Sequence, residues 1–237
     1  MFIGKKLKRW IPIIQQLNSD IKIQIRMLNL KRFVFNDFQV NCYLVADESK
    51  ECIIIDVPCY HNGEMETLID FIQQHELRPK YIVNTHCHVD HLLGAADLCE
   101  QLNLPFTIHA DGLNLLNRAV EQASLYGFEL DKVPVFINYV KHGDIIKVGS
   151  TELEVRSTPG HADGSICLVN HEHKIVFSGD VLFRDSIGRT DLPGGSFDIL
   201  NKSIQNELFT LDDVYTVYPG HGAETSIGYE KVNNPFL

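Results

Sequence analysis

The feature that most constrains this chain is the segment from His86 to His91, which reads His-Cys-His-Val-Asp-His. It directly follows an apolar run, residues 81–83, that is typical of a buried strand. Imidazole and carboxylate groups at this spacing suit zinc and similar first-row ions, whereas the same groups clustered without a metal would gain nothing from packing. We therefore expect a metal site, with His86 and His88 converging on one ion and Asp90 and His91 reaching a second.

Four ligands do not complete two metal sites, so further ligands must come from elsewhere in the chain. Three residues, His161, Asp180 and His221, each follow a predicted strand through a short turn that contains glycine. Side chains just beyond the ends of separate strands can meet at one edge of a sheet. The preceding strand candidates cover residues 151–156, 174–178 and 214–218. We expect these three side chains to complete the metal centre.

The remaining histidines match no ligand position, and we predict ordinary surface or core roles for them. They are His61, His75, His109, His142, His171 and His173. Cys87 stands between two ligands, but side chains alternate along an extended segment, so its thiol is expected to point away from the metal.

The hydrophobic pattern divides the chain into two halves, each with strands first and strand–helix alternation after. Helical periodicity covers residues 64–76, 92–102, 112–126 and 196–209, with Ser196 as an N-cap. The other strand candidates are residues 33–38, 42–46, 52–56, 81–83, 106–108, 145–148 and 166–169. This order predicts an α/β fold of two mixed β-sheets packed face to face with helices outside, a four-layer sandwich, rather than a doubly wound parallel sheet.

Composition limits the partners that the chain can have. Its 237 residues carry a formal net charge of −10, which argues against a nucleic-acid binder because such a surface must neutralise phosphates. No apolar run of about 18 residues is present, so we expect no membrane span. The six cysteines form no Cys-x-x-Cys pair, which indicates buried reduced thiols in a cytoplasmic protein. A small-molecule substrate is expected, and the oligomeric state is not specified by the sequence.

Residues 1–26 are set apart by a basic cluster and a short apolar stretch, Trp10-Ile11-Pro12-Ile13-Ile14. The stretch is too short and too interrupted for a signal-peptide core, and no small-residue cleavage site follows it. We predict that residues 1–26 form a poorly packed N-terminal extension and that residues 27–237 form one domain.

In order and context, the seven candidate ligands resemble those of the metallo-β-lactamase superfamily, over roughly residues 27–237. The resemblance implies that the first ion is held by His86, His88 and His161. It implies that the second ion is held by Asp90, His91 and His221. Asp180 would bridge the two ions, which would be divalent, with zinc expected and iron as the alternative.

Within the superfamily, two segments resemble the glyoxalase II-type hydroxyacylglutathione hydrolases in their short form, which lacks a C-terminal helical domain. The segments are residues 179–195, which contain Gly188-Arg189-Thr190-Asp191, and the chain end, residues 228–237. This likeness implies that a hydroxide shared by the ions attacks the carbonyl carbon of a thioester such as an S-acylglutathione. Asp90 would also orient that hydroxide, and no serine or cysteine nucleophile is needed.

Arg189 and Asp191 are the candidate substrate-binding residues outside the metal ligands. By the resemblance, a cation at position 189 helps to hold substrate carboxylates, a task that suits the guanidinium fork. Alternatively, Arg189 pairs with Asp191 or Asp185 and braces the loop. A separate turn, Asp56-Val57-Pro58, departs from the Asp-Pro-Gly usual in such proteins, which affects the expected loop shape but no ligand.

Two other reaction classes share this likeness. Persulfide dioxygenases have the same fold and nearly the same ligand residues, but they use a single iron held by two histidines and one aspartate. Their Gly-Arg-Thr-Asp stretch resembles residues 188–191. Lactonases and β-lactamases form the other class. Metal content separates the dioxygenase from the hydrolases, and relative rates on a thioester, a lactone and a β-lactam rank the hydrolases.

Overall fold

The computed structural model describes residues 28–237. The predicted extension, residues 1–26, lies outside the described residues. Fourteen strands lie in the described part: β1 (Asn29–Phe35), β2 (Val40–Ala46), β3 (Glu51–Ile55), β4 (Arg78–Val83), β5 (Phe106–His109), β6 (Ile137–Val140), β7 (Ile145–Val148), β8 (Thr151–Ser157), β9 (Ile166–Asn170), β10 (Ile175–Gly179), β11 (Leu182–Phe183), β12 (Ser186–Ile187), β13 (Thr216–Pro219) and β14 (Thr225–Ser226). The α-helices there are α1 (Glu64–Gln74), α2 (Ala95–Leu102), α3 (Leu113–Asn117), α4 (Ala119–Tyr126), α5 (Phe197–Ser203) and α6 (Ile227–Asn233).

The strands form two six-stranded sheets and one small hairpin. The first sheet has the order β1-β2-β3-β4-β5-β6, and the second has the order β14-β13-β10-β9-β8-β7. Both sheets are mixed: β3 to β6 run parallel in the first, and β10 pairs parallel with β13 in the second. Strands β11 and β12 form the separate hairpin.

Strand β2 shows why the two sheets must be stacked between helices. All seven of its residues are buried, although neighbouring side chains point to opposite faces. Leu44 and Ala46 pack into the cluster on the helix side of the first sheet. Tyr43 and Val45 pack between the sheets, against residues such as Phe177 of β10. A strand buried on both faces belongs to an inner layer, so the predicted four-layer sandwich is confirmed.

A third apolar cluster covers the outer face of the second sheet. Val176 of β10 and Val217 of β13 meet Leu200 and Ile204, which lie on one face of the helix that begins at Phe197. Ser196 caps this helix, since its hydroxyl accepts a hydrogen bond from the backbone amide of Ile199, as predicted. The last turn, Ile204–Leu208, is a π-helix.

The structure departs from the predicted elements in several places, among them the short strands β11, β12 and β14, which were not predicted. The helix expected over residues 112–126 is interrupted at Arg118 and forms two short helices. The edge strand Ile137–Val140 was not predicted, because only its last residue is buried and its hydrophobic pattern is weak. The C-terminal helix Ile227–Asn233 was also not predicted, because it has only seven residues.

Two further expectations concern cysteines and membranes. All six cysteines are free and buried. Within residues 28–237, no helix has the length and apolar character needed to cross a bilayer.

Asp47 joins the turn after β2 to the turn after β7. Its carboxylate accepts hydrogen bonds from the amide and hydroxyl groups of Ser49 and Ser150. Burial alone would raise the pKa of Asp47, but these hydrogen bonds lower it to about 2. Because the pKa in the unfolded chain is about 3.9, the ionised form stabilises the fold above that pH, and this stabilisation is lost as the pH falls from about 4 to 2.

Replacing Asp47 by asparagine is therefore expected to lower the free energy of unfolding by about 2 kcal/mol at pH 7. The difference between the variant and the wild type should shrink as the pH falls below about 4. Chemical denaturation at several pH values measures it. A difference that stays constant with pH would contradict the assigned role of the carboxylate.

Candidate metal centre

All seven predicted ligands meet at one edge of the two sheets. The segment with His86 to His91 follows β4, and His161, Asp180 and His221 follow β8, β10 and β13. Their side chains form three groups whose nitrogen and oxygen atoms lie within 4.8 Å of one another. The groups are His86, His88 and His161; His86, His91 and Asp180; and Asp90, His91 and His221.

Three of the histidine rings are oriented by an acceptor on the side away from the centre. The Nδ1 atom of His91 lies 2.9 Å from the carboxylate of Asp56. The Nδ1 atoms of His161 and His221 lie 2.8 Å from the carbonyl oxygen of Arg189 and 2.9 Å from that of Phe38. A carbonyl or carboxylate oxygen only accepts, so Nδ1 carries a proton and Nε2 faces the centre. This is the usual arrangement around metal-binding histidines.

Two atoms at the middle of the cluster lack a hydrogen-bond partner among the described residues, and two ring nitrogens face each other closely. The Nε2 atom of His86 and the Oδ1 atom of Asp180 are buried, and neither has a hydrogen-bond partner in the described part of the chain. The Nδ1 atom of His88 faces the Nε2 atom of His161 at 2.9 Å. Buried polar atoms without partners are costly. A cation at these positions would satisfy them, so the residues fit a metal site.

Asp180 lies between the groups. Its Oδ1 atom is 3.3 Å from Nε2 of His91. Its Oδ2 atom is 3.4 Å from Nε2 of His221 and 3.7 Å from Nε2 of His161. The carboxylate of Asp90 lies on the outer side, with Oδ2 at 3.5 Å from Nε2 of His221. Asp180 is therefore within reach of both halves of the cluster.

The pKa shifts show that the cluster requires positive charge. Burial lowers the pKa of His86 well below its usual value and lowers that of His88 to about 4, so both rings are neutral, the form that binds metal. Burial alone would raise the pKa of Asp180, but His91 and His221 hold it well below its usual range. Burial alone would lower the pKa of His221, but hydrogen bonds with Asp180 and Asp90 raise it to about 9. The ionised carboxylates are thus neutralised by a bound cation or by protons on their histidine neighbours.

The backbone at Gly220 approaches the ligands closely. A β-carbon at this position would lie 2.1 Å from Oδ1 of Asp180 and 2.8 Å from Cε1 of His91. Its amide also donates to the carbonyl oxygen of Gly179 at 2.8 Å. The glycine before His221 therefore leaves the space that two of the candidate ligands occupy.

Asp56 is a further candidate functional residue, which was not among the predicted site residues. It has a left-handed backbone, with φ of 59°, at the end of β3. Its carboxylate accepts hydrogen bonds from the amide and the hydroxyl of Thr85, at 2.7 and 2.9 Å, as well as from His91. The next residue, Val57, donates its amide to the carbonyl oxygen of His91 at 3.0 Å. Hydrogen bonds thus join the Asp56–Pro58 turn to the histidine-rich segment. The sequence signal for Asp56 was its place directly after a buried strand.

Replacing Asp56 by asparagine is expected to weaken metal affinity about 10- to 100-fold, because the His91 ring loses the acceptor that fixes its proton on Nδ1. Titration against a competing chelator measures the affinity. Asp47→Asn is the matched control, since it removes another buried carboxylate that accepts four hydrogen bonds, remote from the histidines. Equal metal affinity in the two variants would contradict the positioning role of Asp56.

Arg189 and Asp191 lie beside the cluster and bind each other. The Nε and Nη2 atoms of Arg189 each donate to Asp191 at 2.8 Å, and both side chains are exposed. Arg189 also lines a cavity of about 270 Å³ together with Phe38, Tyr126 and five of the seven metal-ligand candidates. The pairing with Asp191 fits the loop-bracing role, and the position in the cavity fits the substrate-binding role. The side chain thus satisfies both descriptions.

The other predictions for this region concern residues outside the cluster. Cys87 packs into the apolar cluster on the helix side of the first sheet, as expected. None of the six remaining histidines belongs to a metal-binding group among residues 28–237. His61, for example, pairs with Asp37 at 3.0 Å on the surface.

Over most of its length, the chain is similar in sequence and structure to known proteins. The family model described as the metallo-beta-lactamase superfamily matches residues 35–221. Hydroxyacylglutathione hydrolase GloC of Haemophilus influenzae is 38% identical over 218 residues, which cover 89% of this chain and 98% of that protein. The crystal structure of TTHA1623 in a di-iron-bound form has a TM-score of 0.80 and 35% identity, covering 87% of this chain and 100% of the other. The B3 metallo-beta-lactamase BLEG-1 has a TM-score of 0.79 and 32% identity, covering 89% and 99%.

Proposed function

Because the chain belongs to the metallo-β-lactamase superfamily, we propose that it is a binuclear metal-dependent hydrolase that cleaves thioesters. The observation that supports two ions is the pair of outer groups, His86–His88–His161 and Asp90–His91–His221, with Asp180 between them. No ligand of the predicted set is missing from the cluster. Histidine nitrogen and carboxylate oxygen favour zinc, and a relative's di-iron form makes iron the other metal to measure.

Different residues of the cluster have different roles in the proposed reaction. Divalent ions held by these residues would lower the pKa of a bound water toward neutrality and would polarise a carbonyl group. His161 and His221 donate from Nδ1 to backbone carbonyl oxygens, so their rings hold position with Nε2 toward the centre. Asp90 is the proposed catalytic residue, since its carboxylate lines the cavity and can accept a hydrogen bond from the attacking water.

Two observations support a thioester as the substrate. One is the likeness to the hydroxyacylglutathione hydrolase of Haemophilus influenzae across nearly all of that protein. The other is chemical: a thiol has a pKa of about 8.5, so a thiolate departs without a general acid. An amine or alkoxide leaving group has a much greater need of a proton. The carboxylates in the cluster are ionised and cannot donate one.

Elemental analysis and a substrate comparison test the proposal together. We expect about two metal ions per chain, as a two-metal site requires, in protein purified without added metal. We also expect a higher kcat/KM on an S-acylglutathione than on a lactone or a β-lactam. One iron per chain with persulfide-dependent oxygen uptake would overturn the proposal in favour of a dioxygenase. Faster cleavage of the lactam would favour a β-lactamase, the class of one similar structure.

Replacing Arg189 by alanine is expected to raise KM for an anionic thioester about tenfold, the effect of losing one charge-assisted contact, and to leave kcat and metal content unchanged. Steady-state kinetics and elemental analysis check this. Arg118→Ala is the control, because Arg118 is an exposed arginine paired with Glu121 at 3.1 Å. A lower melting temperature with unchanged KM would show that Arg189 only braces its loop against Asp191.

A further inference from the structure

A second cavity adjoins the metal-ligand cluster. It has a volume of about 410 Å³ and lies between the β11–β12 hairpin and residues 222–223. It shares four residues with the first cavity: His161, Asp180, Arg189 and His221. The cleft therefore continues past the cluster in two directions, and a substrate whose reacting carbonyl lies at the cluster can extend one arm into each cavity.

The two cavities differ in the side chains that they offer. The first is lined by the apolar or aromatic residues Phe38, Val89, Tyr126 and Leu192. The second is lined by Phe183, Ser186 and the guanidinium group of Arg184. Arg189 is common to both cavities, whereas Arg184 lines the second, so an anionic arm suits the second cavity and an apolar arm suits the unshared part of the first.

Arg184 has its donors available. Its nearest carboxylate oxygen is Oδ2 of Asp185, 3.8 Å from Nε, and it donates no hydrogen bond to any residue in the described part of the chain. Its guanidinium carbon lies 5.2 Å from the centre of the Tyr229 ring, a distance typical of cation–π stacking. Arg189 differs, because two of its donors are already committed to Asp191.

The C-terminal helix holds the hairpin that carries Arg184. Tyr229 donates its hydroxyl to the carboxylate of Asp185 at 2.8 Å. The amide of Asp185 donates to the buried carboxylate of Glu230. Asn234 donates to the carbonyl oxygen of Ser186 at 3.0 Å. These hydrogen bonds hold the hairpin, and with it the backbone of Arg184, beside the second cavity.

We propose that Arg184 forms a carboxylate-binding subsite in the second cavity. This subsite selects thioesters that carry a carboxylate on the arm directed away from Phe38 and Tyr126. The subsite deepens the proposed function and rests on it for the identity of the substrate. Available guanidinium donors bind a carboxylate through two parallel hydrogen bonds, and Arg184 lines the second cavity with its guanidinium group over the Tyr229 ring.

Binding of non-hydrolysable thioethers to the zinc-loaded protein tests the subsite. S-methylglutathione carries its carboxylates on the thiol side, and the carboxymethyl thioether of N-acetylcysteamine carries one on the acyl side. Calorimetry on Arg184→Ala is expected to show a Kd about tenfold higher than the wild type for one probe, which identifies the anionic arm. Arg184→Lys should lose less, and Arg118→Ala should bind like the wild type. Unchanged Kd for both probes, or no binding of either by the wild type, would overturn the proposal.

Thioester hydrolysis by the same preparations separates this proposal from the proposed function. If hydrolysis occurs and Kd is unchanged in Arg184→Ala, the function stands and the subsite does not. If no thioester is hydrolysed but Kd rises in the variant, the subsite stands and the function does not. When both hold, Arg184→Ala raises KM and leaves kcat unchanged.

Discussion

Replacing Asp180 by alanine is expected to lower metal content at both positions, from about two ions to less than one per chain. The carboxylate lies within 3.3 to 3.7 Å of His91, His161 and His221, so each half of the cluster loses its shared anion. The kcat/KM for thioester hydrolysis should fall by more than about 100-fold, since even the loss of a residue that only hydrogen-bonds a metal ligand lowers metal affinity or activity about 10- to 100-fold. Elemental analysis and kcat/KM on a thioester measure the two effects.

The control for this variant is Asp198→Ala, which removes an exposed carboxylate from the first turn of α5. That change should leave both metal content and activity as they are in the wild type. Far-ultraviolet circular dichroism separates loss of metal from loss of fold in Asp180→Ala. Metal occupancy equal to that of the wild type in a folded Asp180→Ala protein would refute the bridging role.

Replacing Gly220 by alanine is the second change with a large expected effect. The new methyl group would lie 2.1 Å from Oδ1 of Asp180, well inside contact distance, so the carboxylate or the backbone must move. A displacement of about 1 Å in such a site can cost on the order of 100-fold in rate. We expect kcat/KM on a thioester to fall by about that factor, with metal bound more weakly.

Gly222→Ala is the matched control for Gly220→Ala. Gly222 has a left-handed backbone, with φ of 75°, but a β-carbon there would contact nothing within 4 Å. Alanine at 222 should therefore lower stability through the backbone and leave metal affinity intact. Alanine at 220 should instead weaken metal binding. Equal metal affinity in both variants would show that Asp180 accommodates the methyl group.

The convergence of the seven candidate ligands could be predicted from the sequence because the pattern that marks them is local. Each candidate ligand stands just after an apolar run, and the ends of such strands meet at one sheet edge. The fold class followed from the same strand–helix order. To predict His161 and His221, it was enough that the preceding strands end at the same side of the fold. The order of the strands within the sheets was not needed.

The residues that sequence reasoning missed depend on long-range contacts. Asp56 reaches His91 across 35 positions, and its neighbours give no hint of that partner. Arg184 is isolated from the metal motifs, and its value depends on a cavity and on an aromatic ring 45 residues away. The edge strand Ile137–Val140 is mostly exposed, so hydrophobic periodicity could not identify it. Pairwise geometry of this kind is set by packing rather than by local pattern.

Two residues at the cleft have backbone and side-chain roles that are separable. The main-chain oxygens of Phe38 and Arg189 fix the His221 and His161 rings, while the side chains of both residues line the first cavity. A substitution at either position changes what the cleft recognises but keeps the oxygen that orients the ring. Substitutions at 38 and 189, whether natural or made by saturation mutagenesis, are therefore expected to change the substrate range while the His161 and His221 rings keep their orientation.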